Sequence, residues 1–189
     1  MTVTVTERKP AAERVAVRCV DSDVHPVPKS GVLAQYIPEP WRSKYFLPRK
    51  IGEQIYYDAP DYAHAYAMRV DTFPPDGEFA GSDPDLMFKQ LIMEAGADIA
   101  ILEPAAYPAR FPEVNHAINV ALNEWQANHW LDSHNNWHER WRGSICVAIE
   151  SPHDAAREIE RWAGHPYMAQ ILIKAEPRPA WGDPKYNPI

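Results

Sequence analysis

Two carboxylates and an imidazole stand close together in the segment Asp21-Ser22-Asp23-Val24-His25. Residues two apart on an extended backbone project to the same side. Asp23 and His25 can therefore aim a carboxylate oxygen and a ring nitrogen at one point. That mixture of hard and borderline donors suits a divalent ion such as zinc or manganese. The same letters also read as a turn aspartate followed by a surface histidine ahead of Pro26, because short D-x-H spacings are common. The element that carries the segment decides between the two readings.

Arg14 to Val20 (Arg-Val-Ala-Val-Arg-Cys-Val) is rich in β-branched residues and predicts a first strand ending just before Asp21. A long loop follows. Asp83-Pro84-Asp85 then has the signature of a helix start, with Asp83 as N-cap and Pro84 at the first helical position. Gly96 supplies the stop. Asp98 to Leu102 is a short apolar run that suits a strand buried on both faces. From Pro112 to about Leu131, Val114, Ile118, Ala121, Leu122 and Trp125 recur at helical spacing, and Asn115, Asn119, Asn123 and Gln126 mark another face. A third strand is predicted at Ser144 to Ile149, a helix from Pro152 to Ala163 that stops at Gly164, and a fourth strand at Ala169 to Ile173. Strands alternating with helices imply a parallel sheet with right-handed crossovers, so the fold class is α/β. A doubly wound sheet and part of an eightfold barrel both fit this order. In a barrel, the reactive groups sit at the C-terminal ends of the strands, which is the position of Asp21 to His25 on the first one.

Other groups compete for a role. His134 and His138 fall at i and i+4, with His129 nearby, but Asp132-Ser-His-Asn-Asn-Trp-His lacks the glutamate of H-E-x-x-H and is rich in loop formers. It reads as an exposed connection. His116 reads as a helix-surface residue. Glu103 and Glu176 follow predicted strands and could reach a pocket as acid or base groups, with solvated strand-end carboxylates as the plainer reading. Lys174 also follows a strand, where a solvated lysine is the commoner case. His64 belongs to the loop after the first strand, on the expected active face. That loop region carries Trp41, Tyr45, Phe46, Tyr56, Tyr57, Tyr62, Tyr66 and Phe73. These aromatics fit a lid over an apolar or aromatic substrate, with Trp41 and His64 as candidate substrate contacts, or a satellite core.

Composition narrows the classes. A chain of 189 residues with 46% hydrophobic and 24% charged residues can bury a sizeable core. The formal net charge of −7 is spread among interleaved acidic and basic residues, which argues against a nucleic-acid partner. No window reaches the roughly 20 apolar residues of a membrane span, and Met1 to Arg14 has no apolar signal core. A cytoplasmic location is expected, with no membrane partner. The two cysteines, Cys19 and Cys146, both lie in apolar β-like runs and read as buried core thiols rather than a disulfide. The 19 prolines gather in loops, including Pro26 to Pro48, Pro60 to Pro84 and Pro177 to Pro188.

The chain resembles the amidohydrolase-related family of metal-dependent hydrolases, in the group of aminocarboxymuconate semialdehyde decarboxylase and its relatives. The resemblance rests on Val20-Asp-Ser-Asp-Val-His25, Pro38-Glu-Pro-Trp-Arg42, Asp71-Thr-Phe-Pro-Pro-Asp-Gly77 and Gly81-Ser-Asp-Pro-Asp-Leu-Met87. It continues through Asn123-Glu-Trp125, Trp141-Arg-Gly-Ser-Ile145 and Trp181-Gly-Asp-Pro-Lys-Tyr186. Order and spacing together carry it. It implies a partial TIM-type (β/α)8 barrel of about the first four β/α units, with a long aromatic- and proline-rich insertion after the first strand. Residues 1–13 are then a disordered or extended N-terminus and 14–189 the N-terminal half of the barrel domain.

In that family the first strand ends in H-x-H, E-x-H or D-x-H, so Asp23 and His25 take the two metal-ligand positions, with zinc as the expected ion and manganese as the other option. A histidine and an aspartate from later strands complete the family's site and have no match here, so the catalytic groups are expected beyond Ile189. A closed barrel takes about 250 residues. The resemblance implies a metal-dependent hydrolase of an amide, lactone or ester. A non-oxidative decarboxylase of an aromatic or unsaturated carboxylic acid is the alternative, and a non-catalytic or assembly-dependent half-barrel is the third reading. A small-molecule substrate is expected, and homo-oligomerisation is left open.

Overall fold

The computed structural model describes residues 18–46, 69–104, 111–173 and 179–189. Four parallel strands lie in the order of the sequence: β1 (Val20–Val24), β2 (Ile99–Leu102), β3 (Trp141–Cys146) and β4 (Met168–Leu172). Helix α1 (Pro84–Met87) follows the first loop and widens into a π-helix over Phe88–Glu94. Helix α2 (Pro112–His129) links β2 to β3, and α3 (Pro152–Trp162) links β3 to β4. A sheet whose strands are added one after another through helices is a run of β/α units, as the alternating pattern predicts.

The helix signals act as expected. The Asp83 carboxylate accepts from Asp85 N and Leu86 N at 3.0 Å each, so two of the four N–H groups orphaned at the start of α1 are satisfied. Gly96 takes φ +81° just past the helix end. The predicted spans of α2 and α3 hold to within two residues.

Two strands are displaced from expectation. β1 runs from Val20 to Val24, so Asp21 and Asp23 lie within the strand instead of after it; residues 14–17 of the expected strand lie outside the described residues. Backbone pairing, unlike an apolar run, tolerates polar side chains on the face turned away from the helices. Val20, Asp21 and Val24 pair with Ile99, Ala100 and Leu102. β3 begins at Trp141 rather than Ser144, because Trp141 and Arg142 pair with Ala100 and Ile101. The buried run Val147 to Ile149 follows the strand.

The core lies between the sheet and α2. Ala100, Leu102, Ala121, Trp125, Trp130 and Trp141 are completely buried in it, joined by Val24, Ile118 and Leu122. Trp130 meets Trp125 and Trp141 edge to face, with ring centroids 6.3 and 5.7 Å apart.

The amides that mark the other face of α2 are buried as well: Asn115, Asn119, Asn123 and Gln126 are at most 6% exposed. The pairing of β2 with β3 ends at Leu102–Gly143, and beyond it Asn123 and Gln126 take up the backbone of β3. Gln126 accepts from Ser144 N at 3.2 Å and donates to Ser144 O at 2.6 Å. Asn123 accepts from Cys146 N at 2.7 Å and donates to Cys146 O at 2.9 Å. Two helix side chains thus make the bonds a neighbouring strand would make. The close approach depends on Gly143, where an added Cβ would lie 2.7 Å from Gln126 Oε1 and from Leu131.

Cys146 is buried, and burial pushes its thiol pKa up. Cys19 is exposed, not a core residue, and both cysteines are free. It sits at the outer end of β1, where its backbone N–H donates to Asp98 Oδ2 at 2.9 Å.

Candidate metal centre

The site begins with a parity. On β1 and the residue after it, Val24 faces the core, while Asp23 and His25 are exposed on the opposite side. On β2, Ala100 and Leu102 face the core, which puts Ile99, Ile101 and the following Glu103 on that same opposite side. The backbone of Glu103 donates to Val24 O at 2.6 Å and so continues the strand pairing to the level of His25.

Asp23, His25 and Glu103 each offer one ligand atom, and these atoms lie within 4.8 Å of one another. They are the one such group of three among the described residues. Asp21 is not part of that group; its Oδ1 accepts from Asp23 N at 3.1 Å.

The hydrogen bonds fix how the imidazole is presented. His25 Nδ1 lies 2.9 Å from the carbonyl oxygen of Glu103. A carbonyl only accepts, so Nδ1 carries the hydrogen and donates. The neutral ring then directs its Nε2 lone pair at Asp23 Oδ1, 3.0 Å away. Two lone pairs so close need a cation between them, either a proton on the ring or a bound metal. A metal-ligating histidine whose other nitrogen donates to a backbone carbonyl has the usual outer-shell arrangement, so these residues fit a divalent ion.

Glu103 is held from the far side of the sheet. Gln170 of β4 donates to Glu103 Oε1 at 2.8 Å and to Ser144 Oγ of β3 at 3.0 Å. One polar chain thereby runs across all four strands.

Beside the site, the loop carrying Asp71 to Gly81 is tied to the exit of β1. Val27 N donates to Gly81 O at 2.9 Å, Lys29 Nζ to Asp76 at 2.6 Å, and Ser30 N and Oγ to Glu78 Oε2 at 3.0 and 3.1 Å. The Lys29 ammonium holds the Asp76 carboxyl below its usual range. Gly81 has φ +81°, and a Cβ there would lie 2.6 Å from the carbonyl oxygen of His25.

Trp41 is half-buried against the main core, with the Lys44 ammonium 5.8 Å from its ring centroid. His64, Lys174 and Glu176 lie outside the described residues, as do Tyr56, Tyr57, Tyr62 and Tyr66. The histidines of the 129–138 region do not converge. His129 stacks on Trp125 at the end of α2, and His138 stacks on Phe88 with ring centroids 4.0 Å apart. Sequence reasoning placed Glu103 near a pocket but not beside the Asp23–His25 pair, and it left Gln170 and Ser144 out altogether. A glutamine inside the apolar run Met-Ala-Gln-Ile-Leu was the available signal, since a polar residue in a covered strand needs a partner.

No family model and no curated protein matches the chain. Among solved structures it is similar to 5-carboxyvanillate decarboxylase from Novosphingobium aromaticivorans, at 15% identity and TM-score 0.58, over 90% of this chain and 46% of that one. That enzyme was determined with manganese and a hydroxy-methoxy-nitrobenzoic acid. It is also similar to 5-carboxyvanillate decarboxylase from Sphingomonas paucimobilis, at 18% identity and TM-score 0.55, over 92% of this chain and 48% of that one. The fold is a partial (β/α)8 barrel. The chain spans about half the length of the structures it matches, and Asp23, His25 and Glu103 lie at the C-terminal ends of β1 and β2, where such barrels carry their chemistry. No helix among the described residues is long and apolar enough to cross a membrane.

Proposed function

We propose that the chain contributes the first four β/α units of a divalent-metal-dependent enzyme related to the amidohydrolases, and that this enzyme decarboxylates an aromatic or unsaturated carboxylic acid. The observation that carries the reading is the Asp23–His25 pair at the end of β1, with His25 oriented by the Glu103 carbonyl. Decarboxylation is preferred to hydrolysis because both structurally similar enzymes are decarboxylases.

Asp23 and His25 would hold the ion. Manganese suits an oxygen-rich surrounding with one imidazole better than zinc does, and manganese is bound in the similar Novosphingobium enzyme. When bound, a divalent ion supplies a positive anchor for a substrate carboxylate or phenolate and lowers the cost of charge that develops there. The Glu103 carbonyl keeps His25 in one tautomer and one orientation. The loop tied by Lys29, Ser30 and Val27 walls one side of the site. Trp41 and His64 remain candidates for substrate contact.

Hydrolysis of an amide, lactone or ester is the second reading, since an ion on the same pair could also activate water. The full-length protein loaded with Mn2+ and given a panel of hydroxylated benzoic acids is expected to release carbon dioxide. Ester, lactone or amide cleavage without carbon dioxide would favour hydrolysis instead.

A further inference from the structure

We infer that Glu103 is a third ligand of the metal and that Gln170, braced by Ser144, is the residue that positions it. The inference rests on the proposed metal role of Asp23 and His25, and it assigns a ligand from β2 and an outer shell from β3 and β4.

The Gln170 amide nitrogen has two hydrogens, and both are used, one on Glu103 Oε1 and one on Ser144 Oγ. An ionised carboxylate only accepts, so the amide nitrogen and not its oxygen must face Glu103, which settles the orientation of the Gln170 side chain. Gln170 holds Oε1, and a carboxylate oxygen of Glu103 lies within 4.8 Å of the Asp23 and His25 ligand atoms. Glu103 acts twice in this arrangement. Its carbonyl orients the imidazole, and its carboxylate completes a set of two oxygens and one nitrogen.

Three ligands from the ends of adjacent strands can hold an ion where two hold it poorly. The donors also stand on paired strands, not on a loop: Glu103 N bonds Val24 O. A side chain locked by neighbouring strands loses little freedom on binding. The consequence is that residues 1 to 189 bind a divalent ion by themselves.

The test is Mn2+ titration of the chain, followed by isothermal calorimetry and by the electron paramagnetic resonance of free Mn2+, with the visible spectrum of the Co2+ form as a report on coordination. Wild type should bind one ion. Glu103→Gln keeps the shape and can still accept from Gln170, yet loses the charge; it should weaken binding at least as much as any outer-shell change and alter the Co2+ spectrum. Gln170→Met keeps the length and removes the donor, and should weaken binding about 10- to 100-fold. Thermal melts in chelator show whether each variant is folded. If His25→Ala abolishes binding while Glu103→Gln keeps wild-type affinity and spectrum, the third ligand is overturned and the Asp23–His25 site stands. If Glu103→Gln loses the ion while Gln170→Met does not, the positioning role is overturned. If wild type binds no ion, or His25→Ala binds as wild type does, the site itself falls.

Discussion

Gly81 shows how far one residue's missing side chain can matter. Its positive φ already disfavours any other residue, and the space where a Cβ would go is occupied by the His25 carbonyl at 2.6 Å. That carbonyl is backbone and cannot swing aside, so a larger residue must move either the loop or the strand exit. Gly81→Ala should cost about 1–2 kcal/mol from the left-handed backbone alone, read by urea denaturation. It should weaken Mn2+ binding as well, because the displaced group belongs to His25. A variant that is destabilised but binds the ion unchanged would show that the loop gives way rather than the strand.

At the scale of elements, α2 is tied to the sheet by amides as well as by apolar packing. Asn123→Ala leaves the N–H and C=O of Cys146 buried and without the partner they had, at about 1–3 kcal/mol for each group. A loss of about 2–6 kcal/mol in chemical denaturation is expected, more than removal of an exposed polar side chain from a helix would cost. The reading of this helix from sequence illustrates what was legible. Its length and apolar face followed from spacing, because burial against a sheet imposes the 3.6-residue period. The fate of its polar face did not follow, because period alone does not distinguish water from a strand edge as the partner of an amide. The site divides in the same way. Asp23 and His25 are neighbours in sequence and could be paired by spacing. Glu103 and Gln170 lie 67 residues apart, and the sheet that brings them together had to be seen. The parallel β/α order was legible from the alternation of elements, but that pattern cannot fix the register that puts Glu103 level with His25.

At the scale of the whole molecule, the two ends of the sheet differ in chemistry. The C-terminal end carries the carboxylates and His25. The opposite end is closed by two histidines used alike: His138 Nδ1 accepts from Arg140 N at 3.0 Å ahead of β3, and His165 Nδ1 accepts from Tyr167 N at 3.3 Å ahead of β4. Both rings must be neutral at Nδ1 to accept. Partial burial lowers the pKa of both, and the Arg140 charge adds to the effect at His138. The sign follows from linkage. A histidine with a lowered folded-state pKa binds its proton more readily in the unfolded chain, so its contribution is whole above the ordinary value of 6.5 and declines as pH falls below it. The melting temperature should therefore be level just above pH 7 and drop between pH 6.5 and 5. The double substitution His138→Gln and His165→Gln, which keeps an acceptor without the titration, should flatten that drop. An unchanged slope would remove these two groups as its source.

The amide bonds from α2 to β3 also have a kinetic side. The N–H groups of Ser144 and Cys146 lie beyond the last β2–β3 pair, where exchange with solvent would ordinarily be fast. Here they are capped by Gln126 and Asn123, on a helix face that is itself buried. They can exchange only when α2 lifts from the sheet, so in deuterated water they should be as slow as the amides between paired strands. Their shared rate would then time the undocking of one helix, a motion that a melting curve averages into the unfolding of the whole.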